Sequence, residues 1–243
     1  MKAIVSSLLV AAGIVSFTCC VKHTVSPPPP PPEHHDSNYV LILRPDSTTG
    51  QDSYVSKVLD DTADGNVNLN FAHELIMARW TFSAFGGDSG TQRGFLRFDS
   101  LAKIPTTATV TSAVLYLYGE DPDSSMSFPF GNSYYPGSSN PSNPVVIEAV
   151  TGGTWQQKTI TWNNAPAASS AIQDTIPAST SQYNYNVTVD VPNLVKPIVL
   201  TPSTNYGFML RLITENIYRE MQFATCEAYD STKRPMIVVN YTY

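Results

Sequence analysis

The chain has 243 residues, with 14 Lys and Arg against 20 Asp and Glu, a formal net charge of −6, and charged residues at only 14%. A hydrophobic share of 42% excludes disorder throughout. The acidic balance argues against a protein that neutralises nucleic-acid phosphates, and three cysteines exclude a disulfide framework.

Met1-Lys2 is a short basic start, and residues 3–17 form an apolar run. A run of that length fits a secretory signal and is too short to span a bilayer comfortably. It ends in Phe17-Thr18-Cys19-Cys20. A cysteine directly after an apolar core resembles a bacterial lipoprotein signal, which implies a diacylglycerol on the thiol and a new N-terminus there. Cys20 is the expected lipidation site, with Cys19 as the alternative; an ordinary signal peptide or an N-terminal membrane anchor is the competing reading. Residues 21–38 carry six consecutive prolines, Pro27 to Pro32. Polyproline II rises about 3.1 Å per residue, so this stretch reads as a stiff spacer of roughly 19 Å. His34 and His35 in such a linker read as solvated residues, not metal ligands.

From Tyr39 onward the hydrophobic period is two. Leu96 and Phe98 share one face of a strand, and Phe95, Arg97 and Asp99 the other. Ala113, Leu115 and Leu117 are expected to face a core, with Val114, Tyr116 and Tyr118 opposite. Residues 145–150, 185–191, 208–212, 220–226 and 236–241 read as further strands, which puts Cys226 in a strand as a buried small hydrophobe. Gly, Asn, Asp and Pro clusters separate them. Short helical turns are expected at 101–104 and 191–197, the second with Pro192 early in the turn. Strands at this spacing without a long helix predict an all-β fold, an antiparallel jelly-roll-like sandwich. The expected organisation is a signal over 1–20, a Pro-rich linker over 21–38 and one domain over 39–243. Residues 121–144, rich in Ser, Pro, Gly, Asn and aromatics, read as a long loop or local insertion.

Several pieces occur in a telling order. They are Asp52-Ser53-Tyr54-Val55, Gly94-Phe95-Leu96-Arg97-Phe98-Asp99 with Ile104-Pro105, and Ala108 to Ala113 followed by Leu115-Tyr116-Leu117. Then come Trp155, Ile160-Thr161-Trp162-Asn163, Val189-Asp190-Val191, Gly207 to Leu210, and Arg234 to Val239 with Tyr241. This ordered set resembles the DNRLRE domains, secreted β-sandwich modules similar to archaeal disaggregatase repeats and to a carbohydrate-binding module family found beside alginate lyases. The resemblance implies a binding or adhesive role more than a catalytic one, and it places Trp155 and Trp162 in the core. The chain departs from the family in a longer, more acidic turn at 60–66 and a longer 121–144 loop.

Enzyme chemistry finds little support. The body of the chain holds one histidine, His73, and one cysteine, Cys226, and has neither a Gly-x-Ser-x-Gly elbow nor a His-Glu-x-x-His motif. Sugar binding needs only exposed rings that stack on C–H faces, plus polar groups for hydroxyls. Two places offer these: a sheet face carrying Phe95, Arg97, Tyr116 and Tyr118, and the loop with Phe128, Phe130, Tyr134 and Tyr135. Trp80 is a third candidate. Asp60, Asp61, Asp64 and Asn66 crowd oxygen atoms into one turn, which reads as a solvated acidic turn or a structural calcium site. The function expected is non-catalytic binding of extracellular polysaccharide by a lipid-anchored module of the cell envelope, facing periplasm or exterior. The alternative is a structural or protein-binding adhesin without sugar affinity.

Overall fold

A computed structural model describes residues 37–58, 64–82, 86–119, 131–133 and 142–243. The chain divides after His35, and every described residue belongs to the unit that follows. The expected signal, Cys20, the linker up to residue 36, the candidate rings Phe128, Phe130, Tyr134 and Tyr135, and the candidate ligands Asp60 and Asp61 lie outside the described residues.

Side chains alternate across a strand, so a strand can bury one face and leave the other for something else. Eleven strands form among the described residues: β1 (Asn38–Leu43), β2 (Gln51–Val58), β3 (Glu74–Phe82), β4 (Asp88–Arg97), β5 (Thr109–Leu117) and β6 (Val145–Val150). They continue with β7 (Ala168–Ile176), β8 (Val187–Asp190), β9 (Phe208–Leu212), β10 (Arg219–Ala224) and β11 (Met236–Thr242). All of their pairings are antiparallel. One sheet runs β1-β11-β5-β8, and the other β10-β3-β4-β9-β6-β7 with β2 added on β4. The expected antiparallel all-β sandwich is therefore the observed architecture.

The larger sheet forks at β4. β2 follows one edge of β4 from Arg97 back to Gly90. The other edge is shared: β3 pairs with residues 88–92, and β9 with residues 94–96. The change of partner needs a residue without a side chain. A Cβ on Gly94 would lie 3.0 Å from both Leu75 Cδ1 and Met77 Sδ, the inward side chains of the departing β3.

The core lies between the sheets. Leu75, Leu96, Leu115, Leu117, Ile147, Leu210, Phe223 and Ile237 are all fully buried there. Ala113, Leu115 and Leu117 face this core as the alternation predicts. One α-helix among the described residues, α1 (Pro192–Leu200), packs against β5 and β7. It starts on Pro192, whose missing N–H costs nothing in the first turn. It turns Leu194, Val195, Ile198 and Val199 onto the core.

The edge strand β10 is not left bare. Ser133 N donates to Glu220 O (3.0 Å) and Glu220 N donates to Ser133 Oγ (3.0 Å). Gln222 N donates to Asn132 Oδ1 (2.8 Å), and Asn143 Nδ2 to Glu220 O (2.6 Å). Short pieces of the 121–144 segment thus occupy the ladder positions that an exposed edge would offer to another chain. The two ends of the described chain also meet: Ser37 and Tyr243 exchange both backbone hydrogen bonds, at 3.1 Å each.

Two local expectations need correction. Cys226 sits in the turn after β10 instead of in a strand, though it is fully buried as expected. Phe95 and Arg97 belong to β4 of the larger sheet, and Tyr116 lies in β5 of the smaller one with Tyr118 just beyond it. They do not share a sheet face.

Candidate functional site

The outer face of the larger sheet, away from the core, is where side chains of opposite character converge. β4 contributes Arg93 and Phe95, β9 contributes Met209 and Arg211, β6 contributes Glu148, and β2 contributes Val55. Strand register brings them together: Val55 is opposite Arg93, Phe95 opposite Met209, and Met209 opposite Glu148. Their neighbours Leu96, Leu210 and Ile147 point the other way, into the core. The outward set lines a groove of about 480 Å³, with Trp162, Ala165, Pro166, Ala168 and Ser170. Beside it the ladder between β6 and β7 is irregular. Ala149 pairs with Ser169 while Glu148 pairs with Gln173, so three extra residues bulge out of β7. Such bulges re-aim side chains at the edges of sites.

Trp162 is the half-buried ring of the groove. It sits on a 3-10 turn, Trp162–Asn164, held from three sides. Asn164 Oδ1 accepts from Thr161 N (2.7 Å), Asn164 Nδ2 donates to Thr159 O (2.9 Å), and Asn163 Nδ2 donates to Asn66 Oδ1 (2.9 Å). The Arg93 guanidinium lies 4.9 Å from the Trp162 ring centroid, a cation–π contact. Below the groove, Phe95 meets Trp155 edge-on with ring centroids 5.7 Å apart. Trp155 Nε1 donates to Tyr206 O (2.8 Å).

Both arginines of the groove are forked onto carboxylates. Arg93 Nε and Nη2 donate to Glu215 Oε1 and Oε2 at 2.8 and 3.0 Å. Arg211 Nη2 and Nε donate to Glu148 Oε1 and Oε2 at 2.6 and 3.2 Å. The Glu148 side chain is only 4% exposed. Its hydrogen bond holds the Arg211 guanidinium pKa above its ordinary value, against the opposing pull of burial. Two rigid donor–acceptor pairs thus stand beside an apolar floor, an arrangement suited to hydroxylated rings.

The residues expected from sequence are distributed over the molecule. Arg97 is buried: Nη1 donates to Trp155 O (2.6 Å), Nε to Asp99 Oδ1 (2.5 Å), and its guanidinium lies 5.2 Å from the Trp155 ring centroid. It shares the face of Phe95 and packs on the same Trp155 ring. Trp80, half-buried on β3, meets Tyr218 edge-on at 5.3 Å. Tyr116 and Tyr118 are half-buried on the outer side of the smaller sheet, where Arg44 Nη2 donates to Tyr118 OH (3.1 Å). Trp155 is in a buried cluster as expected, and Trp162 packs against that cluster while its half-buried ring also lines the groove. Arg93, Arg211, Glu148 and Glu215 carried no sequence signal, because their partners lie 122 and 63 residues away. For Trp162 a signal existed: Thr161 followed three residues later by Asn164 has the spacing of a capped turn, a place for a displayed ring.

Asn66 is exposed and Asp64 opens a 3-10 turn over 64–66. A different group, Asp52, Cys226 and Glu227, brings its donor atoms within 4.8 Å of one another. Cys226 Sγ lies 3.3 Å from Asp52 Oδ1 and 3.2 Å from Glu227 Oε2. Burial, then the charges of both carboxylates, push the thiol pKa well up. Burial and Glu227 also push Asp52 up. The protonated thiol of the buried Cys226 lies within hydrogen-bond reach of both carboxylates.

Residues 46–241 match Carbohydrate-binding module family 96. No curated protein matches the sequence. Among solved structures, the K1 cleaved adhesin domain of Lys-gingipain from Porphyromonas gingivalis W83 aligns over 84% of this chain and 98% of that one. Its identity is 9% and its TM-score 0.26, too loose a likeness to bear on function.

Proposed function

The chain belongs to carbohydrate-binding module family 96, and from that premise we propose that the groove on the outer face of the larger sheet binds an extended polysaccharide without cleaving it. The observation that carries this reading is the convergence of the half-buried Trp162 and two Arg–Glu pairs in one open groove, over a base of Val55, Phe95 and Met209 that is buried, so that Phe95 is not the exposed ring expected from the sequence. Sugar rings present C–H faces to apolar and aromatic surfaces, and hydroxyls to paired donors and acceptors. Each contact is weak, so affinity comes from a run of rings along the groove. The resemblance to DNRLRE modules agrees with such a role.

Affinity electrophoresis through gels containing polysaccharide tests the reading. The wild-type domain is retarded by at least one glycan, and Trp162→Ala weakens that retention about tenfold while the domain stays folded. Retention that is the same in wild type and variant, or absent from both across a broad panel, overturns it.

In the same proposal the domain over 39–243 is tethered. The signal over 1–20 is removed, Cys20 carries the lipid, and the polyproline spacer within 21–38 holds the domain clear of the cell-envelope membrane. Metabolic labelling with a fatty acid marks the protein, and the label disappears when Cys19 and Cys20 are both changed to Ser. A label that survives that change, or no label at all, removes the lipid anchor from the proposal.

A further inference from the structure

The two guanidinium groups of the groove are not available as free cations, and that bears on which glycan can enter. Arg93 spends Nε and Nη2 on both oxygens of Glu215. Arg211 spends Nε and Nη2 on both oxygens of Glu148, and its Nη1 donates to Leu212 O at 3.3 Å. The four groups sum to zero charge. Resting on the glycan-binding reading, we infer that the groove selects uncharged polysaccharide, rings bearing hydroxyls but no carboxylate or sulfate.

The argument is one of competition and geometry. A ligand carboxylate would need a guanidinium edge already held in a forked, charge-assisted pair, among the stronger hydrogen-bond arrangements in proteins. It would arrive beside Glu148 or Glu215, whose like charge opposes it. Glu148 cannot step aside cheaply, because its side chain is only 4% exposed and removing its partner would leave a buried charge uncompensated. The acidic balance of the whole chain, −6, adds a long-range penalty for a polyanion.

A neutral sugar meets none of these costs. A hydroxyl both donates and accepts. Arg93 Nη1 stands outside both bonds of its pair, and each paired carboxylate oxygen keeps a lone pair. Neighbouring hydroxyls can therefore accept from the guanidinium and donate to the carboxylate without breaking either pair. The Arg93 guanidinium is further fixed by its 4.9 Å contact with the Trp162 ring, so the donor is in place before the ligand arrives.

The test runs two sets of probes through affinity electrophoresis at low salt: neutral glucan, mannan and xylan, and the polyuronates polymannuronate and polygalacturonate. Wild type is retarded by a neutral polymer at least about tenfold more strongly than by either polyuronate. Glu215→Gln, a change at a partly exposed side chain, releases Arg93 and produces polyuronate retention that high salt abolishes. Adding Arg93→Gln to that variant removes the gain. Circular dichroism melts of both variants confirm that folded protein is compared. Stronger wild-type retention by a polyuronate, lost in Trp162→Ala, overturns the selectivity while leaving glycan binding standing. A folded Glu215→Gln variant that gains no polyuronate retention overturns the neutralisation argument directly. No retention by any probe sinks the binding reading itself, and the selectivity with it.

Discussion

Gly94 shows how much one missing side chain can decide. It lies on β4 where β3 leaves and β9 takes over, under Leu75 and Met77. Gly94→Ala would place a methyl carbon 3.0 Å from both side chains, each fully buried and unable to swing into solvent. Overpacking of this kind costs about 1–3 kcal/mol, and in a domain of this size the melting temperature falls roughly 2–4 °C per kcal/mol. A thermal melt showing an unchanged or raised Tm would mean that β3 can shift without loss. Gly94 was legible as part of an ordered family pattern, but its reason was not, since the two side chains above it come from a strand that alternation did not reveal. Trp162 is the converse. Its place in the family's ordered set implied core packing, and the ring does rest on a buried cluster, but the hydrogen bonds of Thr161, Asn163 and Asn164 hold its turn so that part of it opens onto the groove.

Strands differed in how plainly they announced themselves. β5, β6, β9 and β11 fall where alternation or short apolar runs placed them, and β6 and β9 match to the residue. Each has at least one face on the core between the sheets, which is the condition that writes a clean signal. β2 does not follow that rule. Five successive residues, Asp52 to Ser56, are buried, because turns and loops cover the face away from the core. Two buried faces leave no alternation to read. β3 opens with a continuous apolar run, Leu75-Ile76-Met77-Ala78, which resembles a helix as much as a strand. β7 is short on apolar residues and bulged by three residues beside Glu148, so its pattern breaks where the groove is formed. The site was correspondingly less legible than the fold. Arg93, Glu148, Arg211 and Glu215 meet only through the registers of β4, β6 and β9, and a register is a property of pairs of strands.

The molecule as a whole carries a set of carboxyl groups pulled in opposite directions, and their balance sets a pH profile. Burial, reinforced by the charge of Glu74, raises Glu220 from its ordinary 4.5 to about 7, although a hydrogen bond from Gln222 opposes the rise. Asp52 is raised as well, by burial and then Glu227. Between pH 4.5 and 7 the unfolded chain releases the Glu220 proton and the folded protein keeps it, so stability falls as pH rises through that window. The loss is complete above the folded value and amounts to about 3 kcal/mol for Glu220. Asp46 and Asp230 act in the other direction. Hydrogen bonds from Thr48 and Thr49, and from Thr232, lower them below 3.8, so their contribution is present above that value and fades in stronger acid. Denaturation across pH is therefore expected to show greatest stability in mild acid, near pH 4–5, with a decline toward pH 8. Glu220→Gln flattens that decline; a profile that rises from pH 5 to 8, or a variant as pH-sensitive as wild type, would contradict the assignment. The pairing of Ser37 with Tyr243 bears on how such a module can be joined to other proteins. Ser37 and Tyr243 are neighbours at the corner of the smaller sheet, on the layer opposite the groove. A partner domain fused upstream, downstream, or on both sides would depart from that one corner and leave the layer that carries the groove uncovered. In a domain cut to residues 37–243, a short peptide from Tyr243 to Ser37 closes the backbone into a ring, and new ends opened in a surface loop leave both sheets intact.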